Sequence, residues 1–470
     1  MKKQLFAATL VTMATFQSSP AQNDAAPPAQ KSGKPEIGAW GFDAKGMDAK
    51  SPPGANFYKF ANGGWLAATK IPDDKSNYGM FTVLNDKSDE RTKEIILGAY
   101  GEAGSEIQKI VDYYASFMDE AAIEAKGVAP IQGELAKIAA IGDAGGLVAA
   151  FAANARQFRT GPFMTVVAQD DRAPELYIAN IGQSGLGLPD RDMYDAGAKQ
   201  FAAARDGYRK YIATMLTLAG AKDADARAAA VYALEEKIAA THWTRVENRD
   251  PQKTYNKLTI AELQKTAPGI DWKTWLAAVG LEGQPAVNVN QPTAVAGTIA
   301  LVASVPLATW KDYLTIHLLT DAAPYLSKAF VDAHFEMYGR TLSGTPQIEQ
   351  RWKRGVDHVI GAMGEAVGKI YVARYFTPET KAAADRLVHN LLVSMGQRLD
   401  ALTWMSAETK AKAKAKLATY NPKIGYPKKW RDYSALKIVA GDPVGNATRA
   451  AAFEYDRQLA KLSKPINRDE

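Results

Sequence analysis

Apolar side chains recur every three or four residues along most of the chain, which is the spacing of one face of an α-helix. At the start of one such run, Ser105 and Gln108 fit a capping box. Its apolar face is formed by Ile107, Ile110, Val111, Tyr114, Phe117 and Met118. Similar patterns cover residues 200–219, 225–242, 328–340 and 347–372. Helices therefore dominate the predicted structure.

Two further helices are predicted near the end of the chain. Thr377 is placed as a cap residue before Pro378, which suits the first position of a helix. One face of that helix carries Leu387, Leu391, Met395, Leu399 and Leu402. The next helix is predicted to start near Ser406 and to end at Asn421-Pro422.

Strand signals are few. Residues 163–168 and 176–181 are short, rich in apolar and β-branched side chains, and separated by a turn-like stretch at residues 170–174. This pattern predicts a single hairpin. The rest of the sequence shows neither a regular alternation of strands and helices nor an internal repeat. The predicted fold is therefore mainly α, a large multi-helix lobe with one small β-hairpin.

The first residues have the pattern of a secretory signal peptide. Lys2 and Lys3 precede an apolar stretch of 12 residues from Leu5 to Phe16, and small residues follow at positions 19–21. That stretch is shorter than the about 20 apolar residues that span a bilayer. We expect a signal peptide at residues 1–21, a flexible leader at 22–39 and no transmembrane segment after cleavage.

Composition supports an exported globular protein. The chain has 470 residues, 47% of them hydrophobic, and no cysteine, so disulfides and thiolate metal sites are excluded. The net charge is +6, two units of which lie in the predicted signal peptide. Lysines 410, 412, 414 and 416 alternate with alanines rather than aromatics, so we predict a solvated helix face and no nucleic-acid partner. Export without disulfides is typical of a bacterial envelope protein, in the periplasm or outside the cell.

The histidines do not form a helical zinc motif. Such a site needs two histidines four residues apart with a glutamate between them. The five histidines are His242, His317, His334, His358 and His389, and none is followed directly by glutamate. We therefore predict no metal ligands and no catalytic residues in this chain. The stretch 364–369 only loosely resembles a phosphate loop and indicates helix packing, and the glycines at 182–185 indicate a turn.

Three parts of the chain resemble the neprilysin and endothelin-converting-enzyme family of zinc metallopeptidases. The first has a proline-glycine, an aromatic pair, an Asn-Gly-Gly-Trp and an Ile-Pro; the second reads Gly-Leu-Gly-Leu-Pro-Asp-Arg-Asp-Met-Tyr. The three parts are residues 53–66 with 71–72 and 78–81, residues 185–194 with 255–259, and residues 402–405 with 416, 424–427 and 430. Their order and spacing also resemble those of the family.

The resemblance implies a helical domain at residues 40–430, followed at 431–470 by a linker and the start of a thermolysin-like catalytic lobe. In the family, zinc and the H-E-x-x-H helix belong to that later lobe, and residues 464–470 resemble the run just before it. The chain is thus expected to be the N-terminal, truncated part of such an enzyme, inactive alone, with the missing catalytic lobe as a partner.

Some members of the family carry arginines that reach a bound peptide beside the Tyr-Gly-x-Phe segment. At the matching positions this chain has Asn77 and Asn85, which are the candidate substrate-binding residues. The simpler alternative is that both are ordinary polar residues at a loop and a helix start.

The resemblance implies zinc-dependent endopeptidase chemistry on oligopeptides for a complete enzyme, with zinc as its cofactor. Two alternatives stay open for this chain. One is a noncatalytic helical protein of the envelope that binds peptides or acts as a scaffold. The other is a truncated product with a large uncovered apolar face.

Overall fold

The computed structural model describes residues 37–38 and 43–470. The predicted signal peptide lies outside the described residues, as does the predicted leader apart from residues 37–38. The described chain divides into two compact units, one with residues 43–68 and 373–378 and the other with residues 69–372 and 379–470. Within the described ranges, no helix combines the length and apolar content that crossing a bilayer requires.

The described residues contain 17 α-helices and one four-stranded sheet, which confirms the mainly α prediction. The first helices are α1 (Phe57–Ala68), α2 (Met80–Leu97), α3 (Glu106–Met118), α4 (Glu120–Lys126), α5 (Gln132–Ala139), α6 (Ala144–Ala155), α7 (Ala202–Leu218) and α8 (Ala224–Thr241). The later ones are α9 (Ile260–Thr266), α10 (Trp272–Ala278), α11 (Pro292–Ser304), α12 (Leu307–Ala322), α13 (Lys328–His334), α14 (Arg351–Tyr375), α15 (Pro378–Ala401), α16 (Ala407–Ala418) and α17 (Pro443–Leu459).

Side-chain caps fix several predicted helix starts. The Ser105 hydroxyl accepts the backbone N–H of Gln108 at 3.2 Å at the start of α3. The Gln108 side chain, however, donates to Asp112 at 2.7 Å, so only half of the predicted capping box forms. Ser406 caps α16 in the same way through the N–H of Thr409. Such a cap stabilises a helix by about 1 kcal/mol, since it satisfies an otherwise unpaired backbone donor.

The predicted hairpin forms, but it is part of a larger sheet. Strands β1 (Phe163–Asp170) and β2 (Ala173–Gln183) pair antiparallel, with Phe163 opposite Gln183. Two short strands were not predicted: β3 (Lys257–Thr259) and β4 (Ala286–Val289). Strand β4 pairs parallel with β2 and antiparallel with β3, which gives the order β1-β2-β4-β3.

Buried polar contacts hold the sheet together. Asp170 at the end of β1 accepts hydrogen bonds from the Tyr255 hydroxyl at 2.8 Å and from Lys257 Nζ at 2.9 Å. Although burial alone raises the pKa of a carboxyl, these bonds lower the pKa of Asp170 to about 2. Asn288 on β4 donates to Asn180 on β2 at 2.8 Å. The Tyr-Asn-Lys-Leu-Thr stretch is therefore structural.

Four apolar clusters form the core of the larger unit. One lies between the sheet and helices α9 to α11, where Trp272 and Trp275 are 0% and 1% exposed. Another joins α7, α8 and α12. Full burial of each large apolar side chain contributes roughly 1.5–3 kcal/mol. These clusters fix α8 and α12, which carry the polar side chains described next.

In the smaller unit, α1 lies close to the 3-10 turn Ala44–Gly46. A Cβ atom at Gly64 would lie 2.8 Å from the backbone oxygens of both Lys45 and Met47, so only glycine permits this approach. Gly64 of the Asn-Gly-Gly-Trp stretch is thus required for this packing. By contrast, Phe57 and Tyr58 are 68% and 66% exposed.

Candidate functional site

The segment that carries the candidate substrate residues runs into α2. Asn77 precedes the helix and Asn85 lies within it, and both are exposed. The Asn77 side chain contacts the Ser76 hydroxyl at 3.4 Å, and Asn85 donates to Asp89 at 3.0 Å. Asn85 therefore has a structural partner, and the predicted role of both residues in substrate binding stays a prediction.

Exposed apolar side chains lie on the same helix as Asn85. Phe81 is 90% exposed, and Met80 and Leu84 are 39% and 43% exposed. Position 84 follows positions 80 and 81 by four and three residues, so the three side chains lie on one side of the helix. Surfaces of this kind mark sites of contact with other chains or ligands.

A network of charged groups fixes the other face of α2. Lys75 Nζ lies 2.5 Å from Glu349 and 3.4 Å from Asp86, and Lys353 Nζ lies 3.0 Å from Asp86. Asp89 is 7% exposed and lies near these carboxylates. Burial first, and then the negative charges of Asp357, Asp86 and Glu349, raise the pKa of Asp89 to about 6, against the opposing charge of Lys75.

Asp89→Asn is expected to stabilise the chain at neutral pH. The pKa of Asp89 is higher in the folded than in the unfolded chain, so the folded state favours the protonated, neutral carboxyl. The contribution of Asp89 to the free energy of unfolding is therefore complete below about pH 4 and is lost as the pH rises through about 6. The amide stays neutral, so the variant should gain roughly 1–3 kcal/mol near pH 7. Thermal melts of both proteins from about pH 4 to pH 7 would measure this. A difference in melting temperature that stays constant with pH would contradict the account.

The second family-like stretch folds around one buried carboxylate. Glu235 on α8 is 0% exposed and accepts the N–H of Gly187 at 2.9 Å and the hydroxyls of Tyr194 at 2.5 Å and Tyr208 at 2.9 Å. His317 on α12 lies with Nε2 3.1 Å from Glu235. We call Glu235 and these partners the Glu235 cluster. It joins α7, α8 and α12 to the loop at 185–194.

Tyrosines and glycines complete this loop. The hydroxyls of Tyr313 and Tyr338 donate to the carbonyl oxygens of Gly185 at 3.0 Å and Gly187 at 3.1 Å. Gly185 has a φ of +99°, in the region that favours glycine. A Cβ atom at Gly187 would lie 1.7 Å from the Tyr208 hydroxyl oxygen. Gly185 thus serves turn geometry, as the sequence indicated, and Gly187 serves packing.

Four of the histidines are packing residues, and two of them, His334 and His358, line the same cavity. Burial lowers the pKa of His242, His334 and His358 to about 4, so these rings are neutral at pH 7. His242 contacts the Ser184 carbonyl at 3.1 Å, and His358 contacts the Tyr325 hydroxyl at 2.9 Å. His317 belongs to the Glu235 cluster, and His389 on α15 is exposed. Among the described residues, no three His, Asp or Glu side chains are arranged to hold a metal ion.

Residues 53–427 match the model of peptidase family M13. The chain belongs to this family of neprilysin-like zinc metallopeptidases. It is 28% identical to mouse endothelin-converting enzyme-like 1 over 82% of this chain and 52% of that protein. It is 26% identical to human neprilysin over 90% of this chain and 62% of that protein. The chain thus spans between half and two thirds of the length of these relatives.

A solved structure shows the same fold. Zinc metalloprotease ZMP1 of Mycobacterium tuberculosis, in complex with an inhibitor, superposes with a TM-score of 0.87 and is 38% identical. The match covers 92% of this chain and 66% of that one. The family uses zinc, but the residues present here do not fit it: the sequence contains no H-E-x-x-H, and no three His, Asp or Glu side chains of the described residues are placed to hold the ion.

Proposed function

We propose that this chain supplies the helical part of an exported M13 zinc metalloendopeptidase that acts on oligopeptides, and that these residues alone do not hydrolyse peptides. One observation carries the proposal: residues 53–427 match the M13 family, while the chain contains no H-E-x-x-H helix. Without two imidazoles on adjacent turns and their glutamate, these residues cannot form the zinc-bound water that the family would use to attack a peptide carbonyl. The amino-terminal pattern of lysines and apolar residues supports export.

The exposed apolar side chains favour a contact role for the helical part. Besides those on α2, Leu387, Leu391 and Met395 on α15 are 62%, 61% and 51% exposed and are spaced four residues apart. A row with this spacing follows one face of the helix. It suits contact with a catalytic lobe, and it equally suits the second candidate function, capture of peptides by a noncatalytic envelope protein.

Measurements of peptide cleavage and peptide binding distinguish the helical part of a peptidase from a noncatalytic peptide-binding protein. The purified chain, supplied with zinc, is expected to show no chelator-sensitive cleavage of a quenched fluorescent oligopeptide, with thermolysin as the positive control. Chelator-sensitive turnover would contradict the proposal. Tight binding of the same labelled peptide, measured by fluorescence anisotropy, would favour the noncatalytic peptide-binding protein. If the Phe81→Ser variant lost this peptide binding and the Leu391→Ser variant kept it, the peptide would bind at α2.

A further inference from the structure

A cavity of about 300 Å³ lies at the junction of the loop after α6 with helices α12 and α17. It is far along the chain from the Asn77 segment and shares no lining residue with the Glu235 cluster. Its volume is at the lower end of the range of about 300–1,000 Å³ that small-molecule sites occupy. The wall includes the polar side chains of Gln157, Arg159, Asp321 and Thr448.

Arg159 brings a positive charge to this cavity, and its guanidinium has few hydrogen-bond partners in the protein. Its side chain is 11% exposed, and its nearest carboxylate, Glu134, lies 3.8 Å away. One guanidinium N–H donates to the Thr448 hydroxyl at 3.2 Å. A guanidinium has five N–H donors, and buried charges in proteins are normally paired and fully hydrogen-bonded. Arg159 therefore has donors left for a bound group.

Asp321 brings the opposite charge to the same cavity. Within the described part of the chain, its carboxylate accepts one hydrogen bond, from the Thr160 N–H at 3.4 Å, and forms no ion pair within 4.0 Å. The surrounding protein raises the pKa of Asp321, because desolvation outweighs the charges of His317 and Arg159. The two opposite charges thus line one space without contacting each other.

The backbone that presents Arg159 is strained. Phe158, directly before it, has a φ of +50°, a conformation that is rare and costly for a bulky side chain. This turn directs the chain from the end of α6 toward β1 and sets the position of Arg159. Beside it, the Gln157 side chain has a buried Oε1 without a hydrogen-bond partner. Strain and unmatched polar atoms together are more typical of a binding site than of a packing contact.

The remaining wall is apolar. Leu318 and Ala322 come from α12, and Val444, Ala447 and Ala451 come from α17. The cavity therefore offers separate sites for an anion and a cation beside a surface for a small apolar group. A free α-amino acid has all three parts in one molecule of suitable size.

We propose that this cavity binds a free α-amino acid with a small or medium apolar side chain. The carboxylate of the ligand contacts Arg159, its ammonium group contacts Asp321, and its side chain packs against α12 and α17. Asp321 then gains a cationic partner, and Arg159 gains an anion closer than Glu134, which lies 3.8 Å away.

Isothermal titration calorimetry on the full 470-residue chain tests this with L-leucine as the probe. Leucine is expected to bind. N-acetyl-leucine lacks the ammonium group and leucinamide lacks the carboxylate, so each should bind at least about tenfold more weakly, because each loses a charge-assisted hydrogen bond. The proposal would be overturned if leucine, valine, methionine and alanine all failed to bind. It would also be overturned if both analogues bound as tightly as leucine.

Two variants that each remove one charge locate the site. Asp321→Asn and Arg159→Gln should each weaken leucine binding at least about tenfold. Asp206→Asn is the matched control, because Asp206 pairs with Arg209 on the surface, outside this cavity. Circular dichroism confirms that each variant is folded, and if one is not, the analogues on the wild-type chain decide. Leucine binding that survives both substitutions in folded protein would place the ligand elsewhere and refute the proposal.

Discussion

Glu235→Ala is expected to lower the free energy of unfolding by about 3–5 kcal/mol. The carboxylate is fully buried and accepts hydrogen bonds from Gly187, Tyr194 and Tyr208. Alanine leaves the hydroxyls of Tyr194 and Tyr208 buried without this acceptor, leaves His317 without its neighbouring carboxylate, and opens a cavity between α7, α8 and α12. Each loss is costly, because buried polar groups cannot regain water without local unfolding. Urea unfolding followed by circular dichroism measures the change.

Two matched substitutions separate the carboxylate from its position on the helix. Glu236→Ala changes the next residue, which is only half-buried, and should cost less than about 1 kcal/mol. Glu235→Gln keeps the shape and one acceptor oxygen, so its cost should fall between the two alanine variants. If Glu235→Ala were no more destabilising than Glu236→Ala, the Glu235 cluster would not be the structural centre of this region.

Gly187→Ala is expected to cost about 3 kcal/mol or more, although it adds only one methyl group. The new Cβ would lie 1.7 Å from the Tyr208 hydroxyl oxygen and 2.2 Å from Cζ of the same ring. Tyr208 is 1% exposed and hydrogen-bonded to Glu235, so it cannot move aside without breaking the cluster. The melting temperature should fall clearly below that of the wild type.

Gly133→Ala is the control for this substitution. Gly133 lies in α5, and a Cβ atom there would meet nothing within 4 Å. Alanine is also the better helix former by about 1 kcal/mol, so this variant should melt at or slightly above the wild-type temperature. Equal melting temperatures for the two glycine variants would show that the loop at 185–194 tolerates a side chain, against the packing described.

Local signals in the sequence were sufficient for the long helices. Ser105 caps α3 as predicted, α16 starts at the predicted Ser406, and Pro378 is the first residue of α15, because caps and helical periodicity depend on residues close in the chain. The short strands β3 and β4 escaped prediction, since three or four residues carry too little alternation. The π-helix Phe335–Leu342, which continues α13, was also missed, as its sequence has ordinary helical spacing.

The polar sites could not be predicted from the sequence. Glu235 contacts residues 27 to 82 positions away in the chain, and Asp321 and Arg159 come together only through the packing of α12 against the loop after α6. The resemblance identified the glycine-rich stretch but not the buried carboxylate that organises it. A glutamate in an alanine-rich helix next to apolar residues is the one signal that could have indicated a buried acidic group.

Zinc content is the most direct test of the claim that this helical part holds no catalytic metal. The purified chain is incubated with excess zinc, desalted, and analysed by mass spectrometry for metal bound per chain. Because the sequence has no H-E-x-x-H and the described residues offer no group of three ligands, we expect far less than one zinc ion per chain. The claim would be contradicted if the chain retained one zinc ion and cleaved a peptide, and if a chelator removed the zinc and abolished the cleavage.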